Sequence, residues 1–142
     1  QSFLQTEQKE TIDLFVCGSH MSGLPLNSQL TELGAKFLCS AETSPYYRMF
    51  ILPNTEVLPI RPGLVRSLEE TISLPGELWR MPIKNFGTFM LKIRFPLGIS
   101  EIKLNNGQTE YGFCCDISGV ENCTEITHLG GWRNYFAEES ID

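Results

Sequence analysis

A single histidine among small residues is the strongest candidate for chemistry in this sequence. His20 follows an apolar run, and Gly18, Ser19 and Met21 surround it in the segment VCGSHMSG. Small residues leave backbone N–H groups accessible, and several N–H groups aimed at one point bind an anion such as a carboxylate. An imidazole with an ordinary pKa of ~6.5 takes up or releases a proton near neutrality. The segment therefore predicts a carboxylate-binding loop beside a general acid/base. In the alternative interpretation, His20 only caps the loop by bonding a backbone carbonyl.

A doubly anionic ligand also requires cations, which arginine supplies best. The candidates are Arg48, Arg61, Arg66 and Arg133. Arg61 precedes Pro62-Gly63, a turn that fixes its backbone, so we expect Arg61 to bind carboxylate. Arg48 and Arg133 are equally well suited to ion pairs at the edge of the core.

Neutral side chains complete the predicted binding site. Tyr47 and Asn27 are expected to donate hydrogen bonds to the ligand, although Asn27 is also typical of a turn or helix cap. His128 lacks small neighbours of this kind and is expected to be structural or on the surface. Two histidines and no CxxC spacing argue against a zinc site, and no cofactor is expected.

Composition limits the classes of partner. The chain has 142 residues and a formal net charge of -6, from 17 acidic and 11 basic residues. A nucleic-acid footprint is absent, and no apolar run approaches the ~18 residues of a membrane span. Five scattered cysteines without a secretory leader favour reduced thiols in the cytoplasm. We expect one domain over residues 11–142, preceded by a linker over residues 1–10.

The pattern of the chain predicts short strands with few helices. Strands are expected at 11–17, 35–43, 46–53, 63–68 and 72–82. The second and third of these are expected to pair through a turn at Ser44-Pro45, and the last to contain a break or bulge at Pro75-Gly76. Asn106-Gly107 between alternating apolar residues predicts a type I′ hairpin. Helical turns are expected after Ser28 as N-cap, ending at Gly34, and also over 83–93 and around 132–136. The sum is an α+β fold, mostly β: a closed or half-closed mixed sheet or barrel with two or three short helices.

Specific stretches of the chain are similar to a known family. They are VCGSHMSGLPLNSQLTELGAKFL, TSPYYRMFILP, RPGLVR, ELWRMP, PLGISEIKLNNGQTEYGFCC and GGWRNYF, within residues 12–136. They resemble the C-terminal domain of allophanate hydrolase, and the strand-loop segment at 14–30 resembles the wider γ-glutamyl cyclotransferase-like superfamily. The resemblance implies the cyclotransferase-like fold named above.

The resemblance also implies a function in urea degradation. In that family an amidase domain deaminates allophanate, and the C-terminal domain is proposed to decarboxylate the N-carboxycarbamate that results. His20 would then be the general acid/base, and the partners would be a small dicarboxylate substrate and an amidase domain of the same or an associated polypeptide. The Gly/Ser-rich amidase signature with its lysine is missing, so amidase activity is not expected of this chain alone.

One departure from the wider superfamily concerns the catalytic acid. Cyclotransferases use a glutamate as acid/base, but no acidic residue occurs from 78 to 100, and Glu77 is expected to face solvent from its strand. Cyclotransferase activity is therefore disfavoured. The alternative to the decarboxylase is a non-catalytic assembly or docking domain, for which Trp132 and Tyr135 would offer exposed aromatic surface. A homo-oligomer is compatible with either function.

Overall fold

The computed structural model describes residues 10–56 and 58–141. Seven strands occur in this part of the chain: β1 (Thr11–Val16), β2 (Lys36–Glu42), β3 (Tyr47–Leu52), β4 (Arg61–Arg66), β5 (Pro75–Pro82), β6 (Leu97–Lys103) and β7 (Thr109–Cys115). The α-helices in it are α1 (Ser28–Thr31), α2 (Phe86–Met90) and α3 (Trp132–Ile141). Short 3-10 turns occur at Ile83–Asn85, Ile117–Val120 and Thr127–Leu129. The expected linker lies outside the described residues except for Glu10.

The main sheet is mixed and has the strand order β2-β5-β1-β7-β6. Strand β1 lies at its centre, antiparallel to β5 and parallel to β7, and its residues Leu14, Phe15 and Val16 are buried on both faces. The two edge strands approach each other at one end only, where Thr43 forms a bridge with Leu104. The sheet is therefore half-closed rather than a closed barrel, which confirms the mostly-β fold with short helices.

A second, two-stranded sheet pairs β3 with β4, and this corrects the predicted hairpin between β2 and β3. Strand β2 instead pairs with β5, with Phe37 opposite Trp79. The reason lies in the backbone groups of the turn: the N–H of Ser44 donates to Lys103 O at 2.8 Å, and the N–H of Thr43 donates to Leu74 O at 3.0 Å. Non-local partners thus occupy the groups that a hairpin would have used.

The hairpin between β6 and β7 exists, but its turn type differs from the prediction. Gly107 has φ +91°, whereas Asn106 does not have the positive φ that a type I′ turn requires. The Leu104 N–H donates to Gln108 O, and the Gly107 N–H donates to Leu104 O. This is a three-residue loop with glycine in the left-handed position. The Asn106 side chain stabilises it by accepting a hydrogen bond from the Gln108 N–H at 2.9 Å.

Helix ends also differ in part from their predictions. The helix expected over 83–93 is a 3-10 turn followed by α2, which ends at Met90 before Phe95-Pro96 directs the chain into β6. Helix α1 is preceded by Asn27 in the cap position rather than by Ser28, and Gly34, with φ +84°, ends the turn after it as predicted.

Strand β5 begins at Pro75, so no break interrupts it; the irregularity lies in its partner β2, between Phe37 and Cys39. Gly76 is required there because a Cβ atom would lie 2.5 Å from Val16 O.

One large core unites the sheet and the helices. Its largest fully buried side chains include Trp132, Tyr47, Phe15 and Phe89. Trp132 is 0% exposed, which corrects the expectation of an exposed aromatic surface on α3: the indole packs into the core, stacked on Tyr135 with ring centroids 5.0 Å apart. Across residues 10–56 and 58–141, no helix combines the length and hydropathy that crossing a bilayer requires.

Candidate functional site

The segment with His20 is a compact loop over residues 17–27, here called the His20 loop, that starts where β1 ends. Its backbone is closed by hydrogen bonds from the N–H of Met21 to Gly18 O at 3.0 Å and from the N–H of Leu26 to Ser19 O at 2.8 Å. The Asn27 side chain donates to His20 O at 2.7 Å. Asn27 therefore fixes the backbone of the histidine itself.

The imidazole of His20 is held on three sides. Its ring stacks on Phe113, with centroids 4.9 Å apart and an angle of 22° between the ring planes. It forms a T-shaped contact with Phe89, with centroids 5.6 Å apart. Nε2 forms a 2.8 Å hydrogen bond with Gln29 Oε1, so Nδ1 is the ring nitrogen left for proton exchange with a ligand. Burial lowers the pKa of His20, the Gln29 bond opposes this shift, and the charge of Arg61 adds to it. The ring is therefore mainly neutral at pH 7.

Arg61, the first residue of β4, is the buried cation of this region. It is 7% exposed, and its Nε has no hydrogen-bond partner among the described residues. Desolvation lowers the pKa of its guanidinium. The ion pairs in the described part of the chain involve other arginines: Arg48 with Glu125, Arg80 with Asp13, and Arg133 with Glu77. A buried guanidinium without a carboxylate is costly unless an anion binds it.

A cavity of about 30 Å³ connects His20 and Arg61. Its walls are formed by Cys17, Gly18, Ser19, His20, Arg61, Pro62, Leu64, Leu97 and Phe113. Space of this size holds about two water molecules. Burial raises the pKa of the Cys17 thiol to about 12, so Cys17 stays protonated at neutral pH and is not a nucleophile.

Gly18 has a steric role in the cavity wall. A Cβ atom at this position would lie 2.4 Å from Cγ of Pro62, the residue that follows Arg61. The absent side chain thus allows the His20 loop and the start of β4 to pack directly together. Ser19 adds a hydrogen bond from its Oγ to Ile60 O at 3.3 Å.

The structure therefore brings four of the predicted site residues to one cavity, namely Gly18, Ser19, His20 and Arg61, and Asn27 supports them. Met21 is 3% exposed and packs into the core, and Tyr47 lies elsewhere, where its hydroxyl accepts a hydrogen bond from the Lys103 N–H at 2.9 Å. Neither lines the cavity. The ion pairs anticipated for Arg48 and Arg133 are present.

Sequence reasoning missed the residues that hold the imidazole. Gln29 lies nine positions after His20 on a one-turn helix, and Phe113 comes from β7 and Phe89 from α2. No local signal links these residues to the histidine, because the fold alone brings β7 and α2 beside the loop.

Glu77 corrects another expectation, since it does not face solvent. The residue is 8% exposed, and its Oε1 accepts hydrogen bonds from the Ser22 N–H, Ser22 Oγ and Trp79 Nε1 at 2.9, 3.1 and 2.9 Å. Its Oε2 pairs with Arg133 at 3.2 Å. Burial opposes ionisation, but these hydrogen bonds outweigh it and lower the pKa of Glu77. We call this group the Ser22–Glu77–Arg133 cluster. Its Glu77 belongs to β5, which lies on the opposite side of β1 from β7, whose Phe113 lines the cavity.

Solved structures with a similar fold include distant relatives. The chain superimposes on a structure described as γ-glutamyl cyclotransferase with a TM-score of 0.57 at 14% identity, covering 75% of this chain and 68% of that one. At this identity the likeness concerns the fold alone, and it agrees with the cyclotransferase-like architecture predicted from the His20 segment.

Closer matches come from larger proteins. The Saccharomyces cerevisiae urea amidolyase is 36% identical over 129 residues, which are 89% of this chain. The chain spans 7% of that relative's length. The Kluyveromyces lactis allophanate hydrolase structure superimposes with a TM-score of 0.85 at 30% identity, covering 97% of this chain and 22% of that one.

Another solved relative is close to this chain in length. A uropathogenic E. coli-specific protein superimposes with a TM-score of 0.82 at 29% identity, covering 91% of this chain and 98% of that one. The family model described as the allophanate hydrolase C-terminal domain matches residues 12–137. The chain therefore belongs to the allophanate hydrolase C-terminal domain family.

Proposed function

We propose that this domain decarboxylates N-carboxycarbamate, released by an amidase domain of the same or an associated polypeptide, as a step of urea degradation. Family membership and the 36% identity to a urea amidolyase support this proposal. The observation that carries it is the buried Arg61, whose Nε lacks an acceptor among the described residues and which lines one cavity with His20. Such a cation is well suited to an anionic ligand.

The reaction needs one proton for each carbon dioxide that leaves. The C–N bond breaks, its electron pair stays on nitrogen, and a proton must reach that nitrogen while CO₂ departs. N-carboxycarbamate thus gives carbamate and CO₂, and protonation of carbamate in the same way gives ammonia and CO₂. A general acid placed at the nitrogen supplies the proton, and His20 has this role in the proposal.

The low pKa of His20 is compatible with this role because the ligand changes it. A dianion beside the imidazole offsets the charge of Arg61 and favours the imidazolium form, so the pKa of His20 rises when ligand binds. Nδ1 is the nitrogen that would transfer the proton, since Nε2 is held by Gln29. Binding of a dicarboxylate near pH 7 should therefore be accompanied by proton uptake. Calorimetry in buffers of different ionisation enthalpy measures the number of protons taken up.

The cavity is smaller than the proposed ligand. About 30 Å³ is less than N-carboxycarbamate occupies, so the walls must separate as it binds. Gly18 and Ser19 would then present their backbone to one carboxylate, and Arg61 would bind the other. Met21, Asn27 and Tyr47 were predicted as binding residues; of these, Asn27 retains an indirect role through the carbonyl of His20.

The test supplies the amidase as a separate protein. Allophanate is converted by the amidase, and CO₂ release is followed with wild-type domain, with His20→Ala and without domain, because N-carboxycarbamate also decomposes unaided. We expect the wild-type domain to accelerate release, and His20→Ala to lower this acceleration by about 100-fold or more. Arg48→Met, which removes an exposed arginine from its pair with Glu125, serves as control and should match wild type.

An unchanged rate with His20→Ala would contradict the decarboxylase proposal. That result would favour the assembly or docking function for the domain instead.

A further inference from the structure

We propose that Glu77 is a positioning residue for His20, which it acts on by fixing the His20 loop at Ser22 together with Arg133. Its effect on the rate rests on the proposed function, whereas its effect on the imidazole does not. Sequence reasoning gave Glu77 no role, and its burial with four hydrogen-bond donors around the carboxylate requires one.

Glu77 contacts both ends of the segment that carries the histidine. Its backbone lies opposite Val16, the last residue of β1, in the antiparallel pairing of β1 with β5. Its carboxylate accepts two hydrogen bonds from Ser22, one from the N–H and one from the hydroxyl. The chain between Val16 and Ser22 therefore starts and ends at the same glutamate, and His20 lies inside this closed segment.

Arg133 completes the attachment of Ser22. The guanidinium donates to Ser22 O at 2.8 Å and to Glu77 Oε2 at 3.2 Å, so the N–H, the carbonyl and the hydroxyl of Ser22 are all bound. These bonds involve charged groups and are stronger than the neutral bonds that close the rest of the His20 loop. Helix α3, which carries Arg133, is thereby connected to the site.

Apolar packing does not explain this arrangement. Ser22 is exposed and buries no side chain of its own, and a buried carboxylate is a poor means of stabilising a sheet compared with an apolar residue. What the cluster does specify is a single position for Ser22. Because Met21 is buried between them, the position of Ser22 determines how His20 enters the space between Phe113 and Phe89.

The test measures His20 directly, in the full 142-residue chain and without substrate. Glu77→Gln removes the charge and keeps the shape, and the titration of the His20 imidazole is followed by NMR. Removal of a negative charge would by itself lower the pKa of an imidazole. Loosening of the His20 loop exposes the ring to water and raises its pKa toward the ordinary value. We expect the rise, which has the opposite sign to the direct electrostatic effect.

The rate provides the second measurement. Glu77→Gln should reduce the acceleration of CO₂ release about tenfold to 100-fold, as expected when a reacting group is displaced by about 1 Å. In a His20→Ala background the same change should have no further effect. Arg133→Met, on an exposed side chain, should shift the pKa of His20 in the same direction by less.

Glu125→Gln is the matched control. It removes a carboxylate that pairs with Arg48 and accepts a hydrogen bond from Thr127, away from the His20 loop. It should leave the titration of His20 unchanged even where it lowers the melting temperature. An unchanged or lowered pKa of His20 in Glu77→Gln would overturn the inference. A raised pKa combined with full activity of His20→Ala would leave the inference standing and overturn the proposed function.

Discussion

The two buried charged residues on either side of the His20 loop, Arg61 and Glu77, differ in whether their polar atoms have hydrogen-bond partners. On the cavity side, Arg61 is buried and its Nε has no acceptor among the described residues, and the neighbouring His20 is kept mainly neutral. On the other side, Glu77 is equally buried, but both of its oxygens are bound and it pairs with Arg133. The buried charge of Glu77 is satisfied by groups of this chain and needs no ligand. An unsatisfied one is explained by a ligand, which is why the cavity rather than the cluster is the candidate site.

The largest effect on stability is expected when the hydrogen bonds of the buried Glu77 are removed. Glu77→Ala leaves Arg133, the Trp79 N–H and the Ser22 N–H without their acceptor and should lower the free energy of unfolding by about 2–3 kcal/mol. Urea unfolding of the variant and wild type at pH 7 measures the difference. A loss near zero would mean that water replaces the carboxylate at no cost, and the contrast between the two sides would disappear.

A smaller loss is expected where the two elements of the cavity wall meet. Gly18→Ala forces a methyl group against the Pro62 ring, and relief of that contact must move the start of β4. We expect destabilisation by about 1–2 kcal/mol together with weaker ligand binding. Gly87→Ala is the matched control, since a Cβ atom there meets nothing within 4 Å. Equal melting temperatures for the two variants would contradict the steric role of Gly18.

Removal of the charge of Arg61 should change the free energy of unfolding in the opposite direction, toward greater stability. Arg61→Met replaces a buried cation, whose Nε has no acceptor in the described part of the chain, with a shorter apolar side chain that fills the space as far as Nε, and it should stabilise the ligand-free domain by about 1 kcal/mol. Malonate, which carries two carboxylates on one carbon as N-carboxycarbamate does on one nitrogen, should raise the melting temperature of wild type but not of this variant. An equal malonate shift in both proteins would remove Arg61 from the binding site.

The smallest effect concerns pH. The pKa of His20 is lowered in the folded state, so between pH 6.5 and that lower pKa the unfolded chain binds a proton that the folded chain does not. The contribution of His20 to stability is therefore complete above pH 6.5 and is lost as the pH falls through this window. Urea unfolding from pH 7.5 to 5 should show a decline that is shallower in His20→Gln. Identical pH profiles would mean that the ring is not desolvated.

Local patterns were sufficient for most elements, and four of the residues that they singled out line one cavity. Alternation predicted the strands, Gly34 ended the turn after α1, and the small residues around His20 indicated a ligand loop, because each signal depends on neighbours in sequence. Pairing was not predictable in this way: β2 pairs with β5 rather than β3, since Thr43 and Ser44 bond to residues far along the chain. The prediction of Tyr47 in the site fails for the same reason, because its hydroxyl accepts a hydrogen bond from the Lys103 N–H of β6.

Sequence patterns and the resemblance were therefore enough to assign the family and the mostly-β architecture, and they named His20 and Arg61 as candidate site residues. Three features follow from the fold instead: Arg61 is buried with no acceptor for its Nε in the described part of the chain, Gln29 and two phenylalanines hold the imidazole, and Glu77 faces inward. The physical reason is that desolvation and charge pairing depend on which distant residues surround a side chain. No stretch of neighbouring residues contains that information.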